Sequence, residues 1–200
     1  MVTLSTSRMA GRAYHHGDLR AALIQAGLAE LDRTGPGELS LRALARAVGV
    51  SPTAVYRHFP DKGALLSALG QSVAERLGEC QRQAADGART LEDAFAAIGR
   101  EYVRFALANP THFRLMLACY QPREALSGEG SVAAHLLREQ VAALTGNCPA
   151  DAKRLEVQAW AIVHGLAMLM LDGLLPIDDR LIDEVVDVQT LFGLKIGSAN

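Results

Sequence analysis

Residues 39–66 read LSLRALARAVGVSPTAVYRHFPDKGALL, and the fold turns on them. Leu41, Leu44, Ala45 and Val48 recur at three- and four-residue intervals, the spacing that lines one side of a helix. Gly49 breaks that run. Ser51-Pro52 then supplies a cap and a proline at the first helical position, and Phe59-Pro60 closes the short helix that follows. Two short helices joined by Gly49-Val50 predict a helix-turn-helix, a unit whose second helix enters the DNA major groove. With Leu41, Leu44, Ala45, Val48 and Val55 turned toward a preceding helix, Arg42, Thr53, Ala54, Tyr56, Arg57 and His58 are left for the outward side. Hydroxyl, aromatic and cationic groups suit phosphates and base edges. The same spacing also fits a structural helical hairpin with a solvated face.

Upstream, a first helix is predicted from about Asp18, its cap, to Thr34, with Leu19, Leu23, Ala26 and Leu31 at helical spacing and Gly35-Pro36-Gly37 ending it. Ser40 is the expected cap of the second helix, and Asp61 that of a fourth carrying Leu65, Leu66, Leu69 and Val73. Further helices are predicted over 90–108, 111–120, 122–145, 149–173 and 178–196, broken at Asn109-Pro110, Gln121-Pro122, Gly146-Asn147 and Leu175-Pro176. The expectation is an all-α protein in two parts, 1–63 and 64–200, joined through the fourth helix without a flexible linker.

Composition agrees. Of 200 residues half are hydrophobic, 21% charged and only 5% aromatic, a balance that excludes disorder and favours helices. The formal charge of −2 hides an asymmetry: residues 1–63 hold eight Lys and Arg against five Asp and Glu, and 64–200 hold twelve against seventeen. A basic end on an acidic remainder suits a protein that meets a polyanion at that end. No apolar run reaches the roughly 18–20 residues of a membrane span; the nearest, Ala159 to Leu171, contains His164. The N-terminus, MVTLSTSRMAGRAYHHGD, lacks the apolar core of a signal peptide. Cys80, Cys119 and Cys148, without a CxxC pair, suit free thiols in a reducing cytoplasm. A cytoplasmic chain is expected.

The pattern Leu-Ala-X-X-Val-Gly-Val-Ser-X-X-X-Val-Tyr-X-His-Phe-X-X-Lys at 44–62 resembles the TetR family of transcriptional regulators. The YHHGDLR segment at 14–20 and Trp160-Ala-Ile-Val-His164-Gly165 resemble a subgroup with a WHG-type ligand-binding C-terminal domain. The resemblance implies an N-terminal three-helix DNA-binding domain fused to a C-terminal helical domain for ligand binding and dimerisation. It implies that Arg42 reads a base edge, where the alternative is a surface pair with Glu38. It places Ser51, Thr53 and Ala54 at the tip of the recognition helix, Ala54 able to touch a thymine methyl. Tyr56 and His58 match phosphate-contacting positions, beside Arg57, though Tyr56 can instead pack under the first helix. Lys62, at a helix N-terminus, suits a further phosphate. Arg8, Arg12, His15 and His16 are candidates for an arm along the backbone.

For the C-terminal part the resemblance implies a mostly apolar small-molecule effector. Tyr102 and Phe105 share a face with Ile98; Phe113, Met116 and Tyr120 follow on the next helix, and Trp160, His164 and Met168, with Ala167, on a later one. These line either a pocket or a packed core. Gly165 is expected to let another backbone approach closely. Helices near 149–173 and 178–196, the latter with Leu181, Ile182, Val185, Val186, Val188, Phe192 and Ile196, are expected to pair two copies in a four-helix bundle on a palindromic double-stranded operator.

No catalytic residue, cofactor or metal is expected. His15-His16 with Asp18 completes no metal motif, and His164 has no nucleophile placed beside it by sequence. Two other classes stay open: a regulator whose cysteines sense oxidants, against the simpler view that they are buried thiols, and a helical interaction protein without a DNA role.

Overall fold

In the computed structural model, which describes residues 19–119 and 132–187, the decisive stretch forms α2 (Leu41–Val48) and α3 (Pro52–His58) against α1 (Leu19–Glu38). There follow α4 (Lys62–Asp86), α5 (Leu91–Ala108), α6 (Pro110–Cys119), α7 (Val132–Leu144), α8 (Pro149–Leu171) and α9 (Asp179–Val185). No strand occurs among the described residues, and the protein is all-α.

The turn residues act as their chemistry dictates. Gly49 takes φ 76° and ψ 31°, a left-handed conformation costly for any residue with a Cβ, and its N–H closes α2 on the Ala45 and Arg46 carbonyls. Gly35, at φ 75° and ψ 172°, breaks α1 where expected, and one further turn through Pro36 leads to Glu38. Ser51 Oγ accepts from the Ala54 N–H at 3.2 Å and Asp61 Oδ1 from Ala64 at 2.7 Å, so both caps are real. Thr90 caps α5 in the same way. Ser40 stands at the N-cap of α2, but its side chain makes no capping bond; only its carbonyl serves, accepting from Leu44.

Leu23 and Leu31 of α1, Leu44 and Ala45 of α2, Val55 of α3 and Leu65 of α4 are buried together, with Val48 half-buried at their edge. The same apolar cluster continues without a gap along α4 into Val73 and Leu77, then to Tyr102, Phe113, Val163 and Met170. A second, smaller cluster of Phe95, Ala96, Val141, Leu144, Leu155 and Ala159 closes the far end of the body. Continuous burial ties the first three helices to the rest more firmly than a linker can, each fully buried Leu or Val contributing about 1.5–3 kcal/mol.

α9 departs from expectation. Its helix ends at Val185, and Val186 leaves helical geometry at φ −94° and ψ 66°. That exit lays Val186 against Gly99 of α5, so closely that a Cβ on Gly99 would lie 2.7 Å from its Cγ1. Arg104 of α5 holds the same helix through Asp179 and Asp183, both at 2.9 Å. The remainder of the predicted 178–196 helix beyond Asp187 lies outside the described residues, as does the first part of the 122–145 segment. Among the described residues no helix is long and apolar enough to cross a membrane.

Candidate functional site

Burying Val55 forces the other side of α3 outward. Thr53, Tyr56, Arg57 and His58 are exposed, Ala54 is half-buried, and Ser51 is exposed at the cap. Tyr56 retains 43% of its surface, so it does not pack under α1. Arg42 is exposed too and makes no ion pair with Glu38. One turn further along α2, Arg46 shares its face and its exposure. The expected residues therefore form one polar, cationic surface. Arg57 and His58 end α3, where the helix dipole favours positive charge.

Lys62 is placed differently from a free phosphate ligand. Its Nζ donates to the Gly37 carbonyl at 2.6 Å, tying the start of α4 to the last turn of α1. An ammonium has three donors, so two remain. Arg20 was not singled out by spacing, yet its guanidinium lies 5.6 Å from the centroid of the buried Phe59 ring, beside the end of α3. It closes the YHHGDLR segment, but residues 20 and 59 meet only through the tertiary fold. Arg8, Arg12, His15, His16 and Asp18 lie outside the described residues.

In the body, four of the expected side chains meet as rings. The Tyr102 hydroxyl is 3.1 Å from His164 Nδ1, and its ring stands edge-on to Phe113 at 5.3 Å. Phe113 lies 6.5 Å from His164 and Trp160 5.9 Å from it. Phe113 is fully buried and Tyr102 nearly so, whereas Trp160 keeps 37% of its surface and marks the outer edge. Burial pushes the His164 imidazole below its ordinary value, so the ring is uncharged near neutral pH and shares one proton-bearing contact with Tyr102. Phe105 and Met116 are buried in the same cluster and Met168 is half-buried on it; Tyr120 lies outside the described residues. Aromatic faces with one Tyr–His polar pair can hold an apolar molecule and fix its orientation.

Two expectations need correction. Among the described residues nothing outside its own helix turn lies within 4 Å of the position a Cβ would take on Gly165, so the described part of this chain brings no other backbone close to it. The cysteines are not uniformly buried: Cys80 and Cys119 are half-buried, but Cys148 is exposed, because it caps α8 at the surface. Cys119 Sγ lies 3.5 Å from the Leu66 carbonyl, and burial raises its thiol above the ordinary range, which disfavours the reactive thiolate. Among the described residues no group of three or more His, Cys, Asp or Glu can hold a metal ion.

Comparison with known proteins matches this geometry. Residues 23–69 match the model described as bacterial regulatory proteins, tetR family, and residues 95–191 the one described as tetracyclin repressor-like, C-terminal domain. A nucleoid occlusion factor SlmA from Marinomonas sp. (strain MWYL1) is 33% identical over 113 residues, which are 56% of this chain; the match spans 54% of that relative, about half its length. A solved protein of unknown function from Rhodococcus sp. RHA1 is 35% identical with a TM-score of 0.68, covering 88% of this chain and 93% of that one. A TetR family transcription regulator from Marinobacter aquaeolei VT8 shares the fold at 20% identity and a TM-score of 0.56, over 84% and 91%. Recognition helix, continuous core and matched regions together place this chain in the TetR family of DNA-binding transcriptional regulators.

Proposed function

We propose that the chain is a repressor that binds a palindromic operator as a homodimer and responds to a small, mostly apolar effector in the cytoplasm. The observation that carries it is the exposed surface of Arg42, Thr53, Tyr56, Arg57 and His58, set on helices whose other side is fully buried. Arg42 supplies bidentate donors for guanine, and Thr53 and Ala54 lead α3 into the groove. Ser51, Tyr56, Arg57, His58 and Lys62 serve the phosphates, and Arg20 and Arg46 join them. In this reading residues 1–63 form the DNA-binding part and 64–200 the effector-binding and dimerisation part.

The Tyr102–Phe113–His164–Trp160 cluster is the proposed effector site, with Phe105, Met116, Met168 and Tyr120 around it. α8 and the helix that starts at Asp179 are the proposed dimer contact. Val157, Trp160, Ala161 and Leu169 recur along one exposed side of α8, an apolar stripe that a soluble helix hides against a partner. Family members are regulators and generally not enzymes, and we assign no catalytic residue or cofactor. Selecting the purified protein on a random duplex pool at near-physiological salt tests the proposal. Enrichment of a twofold-symmetric site is expected; failure to enrich any site overturns the DNA-reading role.

A further inference from the structure

Three consecutive residues of α6 reach three separate parts of the molecule. His112, 6% exposed, points its Nε2 at α1, 3.3 Å from the Leu28 carbonyl and 3.1 Å from Asp32 Oδ1. Phe113 faces the other way, into the rings of Tyr102 and His164. Arg114 pairs with Asp172 at 2.5 Å, in the turn that ends α8. Leu28 and Asp32 offer only acceptors to the imidazole, so the proton sits on Nε2 and is shared between them, while the buried Nδ1 has no partner among the described residues. A buried donor held by two acceptors on a neighbouring helix is costly to pull away without replacement.

The rest of the head's attachment explains why this bridge matters. α1 crosses α4 at Gly27, where a Cβ would lie 3.0 Å from Leu69 Cδ2, so the two helices are in close contact at that point. This crossing, the shared apolar cluster and the Lys62–Gly37 hydrogen bond tie α1 to α4, and the His112 bridge adds a polar restraint on α1 from a different helix.

We infer that His112 is the positioning residue that transmits the state of the ring cluster to the DNA-binding helices, by fixing the angle of α1 through Leu28 and Asp32. This rests on the DNA-binding, effector-responsive function proposed above. A molecule that displaces Phe113 moves its neighbour His112, and the head then turns about the Gly27 crossing. By linkage the coupling runs both ways, so DNA bound at α3 stiffens α6 and the ring cluster.

The experiment is hydrogen–deuterium exchange on the full chain, with and without the duplex recovered by selection. In the wild type the duplex slows exchange in α2 and α3 and, by about fivefold or more, in residues 111–117. His112→Phe keeps a buried ring but cannot donate. It is expected to bind the duplex and protect α2 and α3, with less than about twofold slowing in 111–117. Asp32→Ala alters an exposed partner and does not threaten the core; it gives an intermediate value, and Asp32→Asn, which keeps an acceptor oxygen, restores the wild-type pattern. Undiminished protection of 111–117 in duplex-bound His112→Phe and Asp32→Ala overturns the inference, as does a duplex-bound wild type protected only in the head. A wild type that binds no duplex fails before any variant is compared, and it overturns the underlying DNA-binding role together with the bridge's function.

Discussion

The outer face of α2 and α3 and the ring cluster around His164 are built in opposite ways. The first is a set of polar side chains exposed to solvent and mounted on short helices whose inner sides are closed: Val55 and Leu44 are buried while Arg42 and Arg57 stand in solvent. The second is a set of side chains that already satisfy one another, Tyr102 with His164 and Phe113 edge-on to Tyr102. A surface that meets a polyanion keeps its donors free, and a site proposed to sense an apolar molecule keeps its polar groups paired until they are displaced. The contrast separates the two tasks physically. α6 gives Phe113 to the ring cluster and His112 to α1, on which α2 packs, and the inferred coupling between the two regions runs through it.

The largest expected effect comes from undermining the first region from below. Phe59→Ala removes a ring that is 2% exposed and the platform under Arg20, so a loss of about 3–5 kcal/mol of stability is expected in a thermal or denaturant melt. A loss below 1 kcal/mol, on the order of a surface change, would show that the face does not depend on that packing.

Lys62→Ala distinguishes anchoring from reading. Affinity should fall alike on selected and random duplexes, and the slope of log affinity against log salt should flatten by about one. An unchanged slope would assign Lys62 wholly to the Gly37 carbonyl.

Tyr102→Phe removes the neutral hydrogen bond to His164 in the second region, a change of about 0.5–1.5 kcal/mol in stability, and should leave duplex affinity as it was. A matched loss of duplex affinity would mean that the Tyr102–His164 bond itself, and not the His112 bridge, sets the head's geometry.

The smallest effect is a titration. With its folded-state value held below the ordinary 6.5 by burial, His164 binds fewer protons folded than unfolded. Its contribution to stability is therefore complete above the unfolded value and declines as pH falls through that value toward the folded one. Trp160, the single tryptophan, lies 5.9 Å away, and a newly charged imidazole quenches it. Its emission should drop on acidification with a midpoint below 6.5, and His164→Asn should abolish that step. A midpoint above 6.5 would place the imidazole beside an unrecognised anion.

Much of this was legible in the sequence because local chemistry governs it. The Leu41 to Val48 periodicity, Gly49, Ser51-Pro52 and Phe59-Pro60 each act within a few residues, so α2, α3 and their outward face follow from spacing. Trp160 and His164 meet because they are four apart on one helix. What spacing does not carry is contact between distant segments. Arg20 on Phe59, Lys62 on Gly37, His112 between Leu28 and Asp32, and Val186 against Gly99 join residues 25 to 87 positions apart. The end of α9 at Val185 belongs to that group, since a fit against α5 and no local breaker stops the helix. Ser40 shows the converse, a good capping residue at the right position whose side chain makes no capping bond.

The most direct measurement compares Arg42→Ala with His164→Ala on the selected duplex and on a random one, by fluorescence anisotropy without added effector. Arg42→Ala should lose about 1–3 kcal/mol on the selected duplex, relax the preference at one base pair and change little on the random one. His164→Ala should bind the selected duplex like the wild type. Equal losses for Arg42→Ala on both duplexes, or a loss confined to His164→Ala, would contradict the assignment of reading to α2 and α3 and of sensing to the ring cluster.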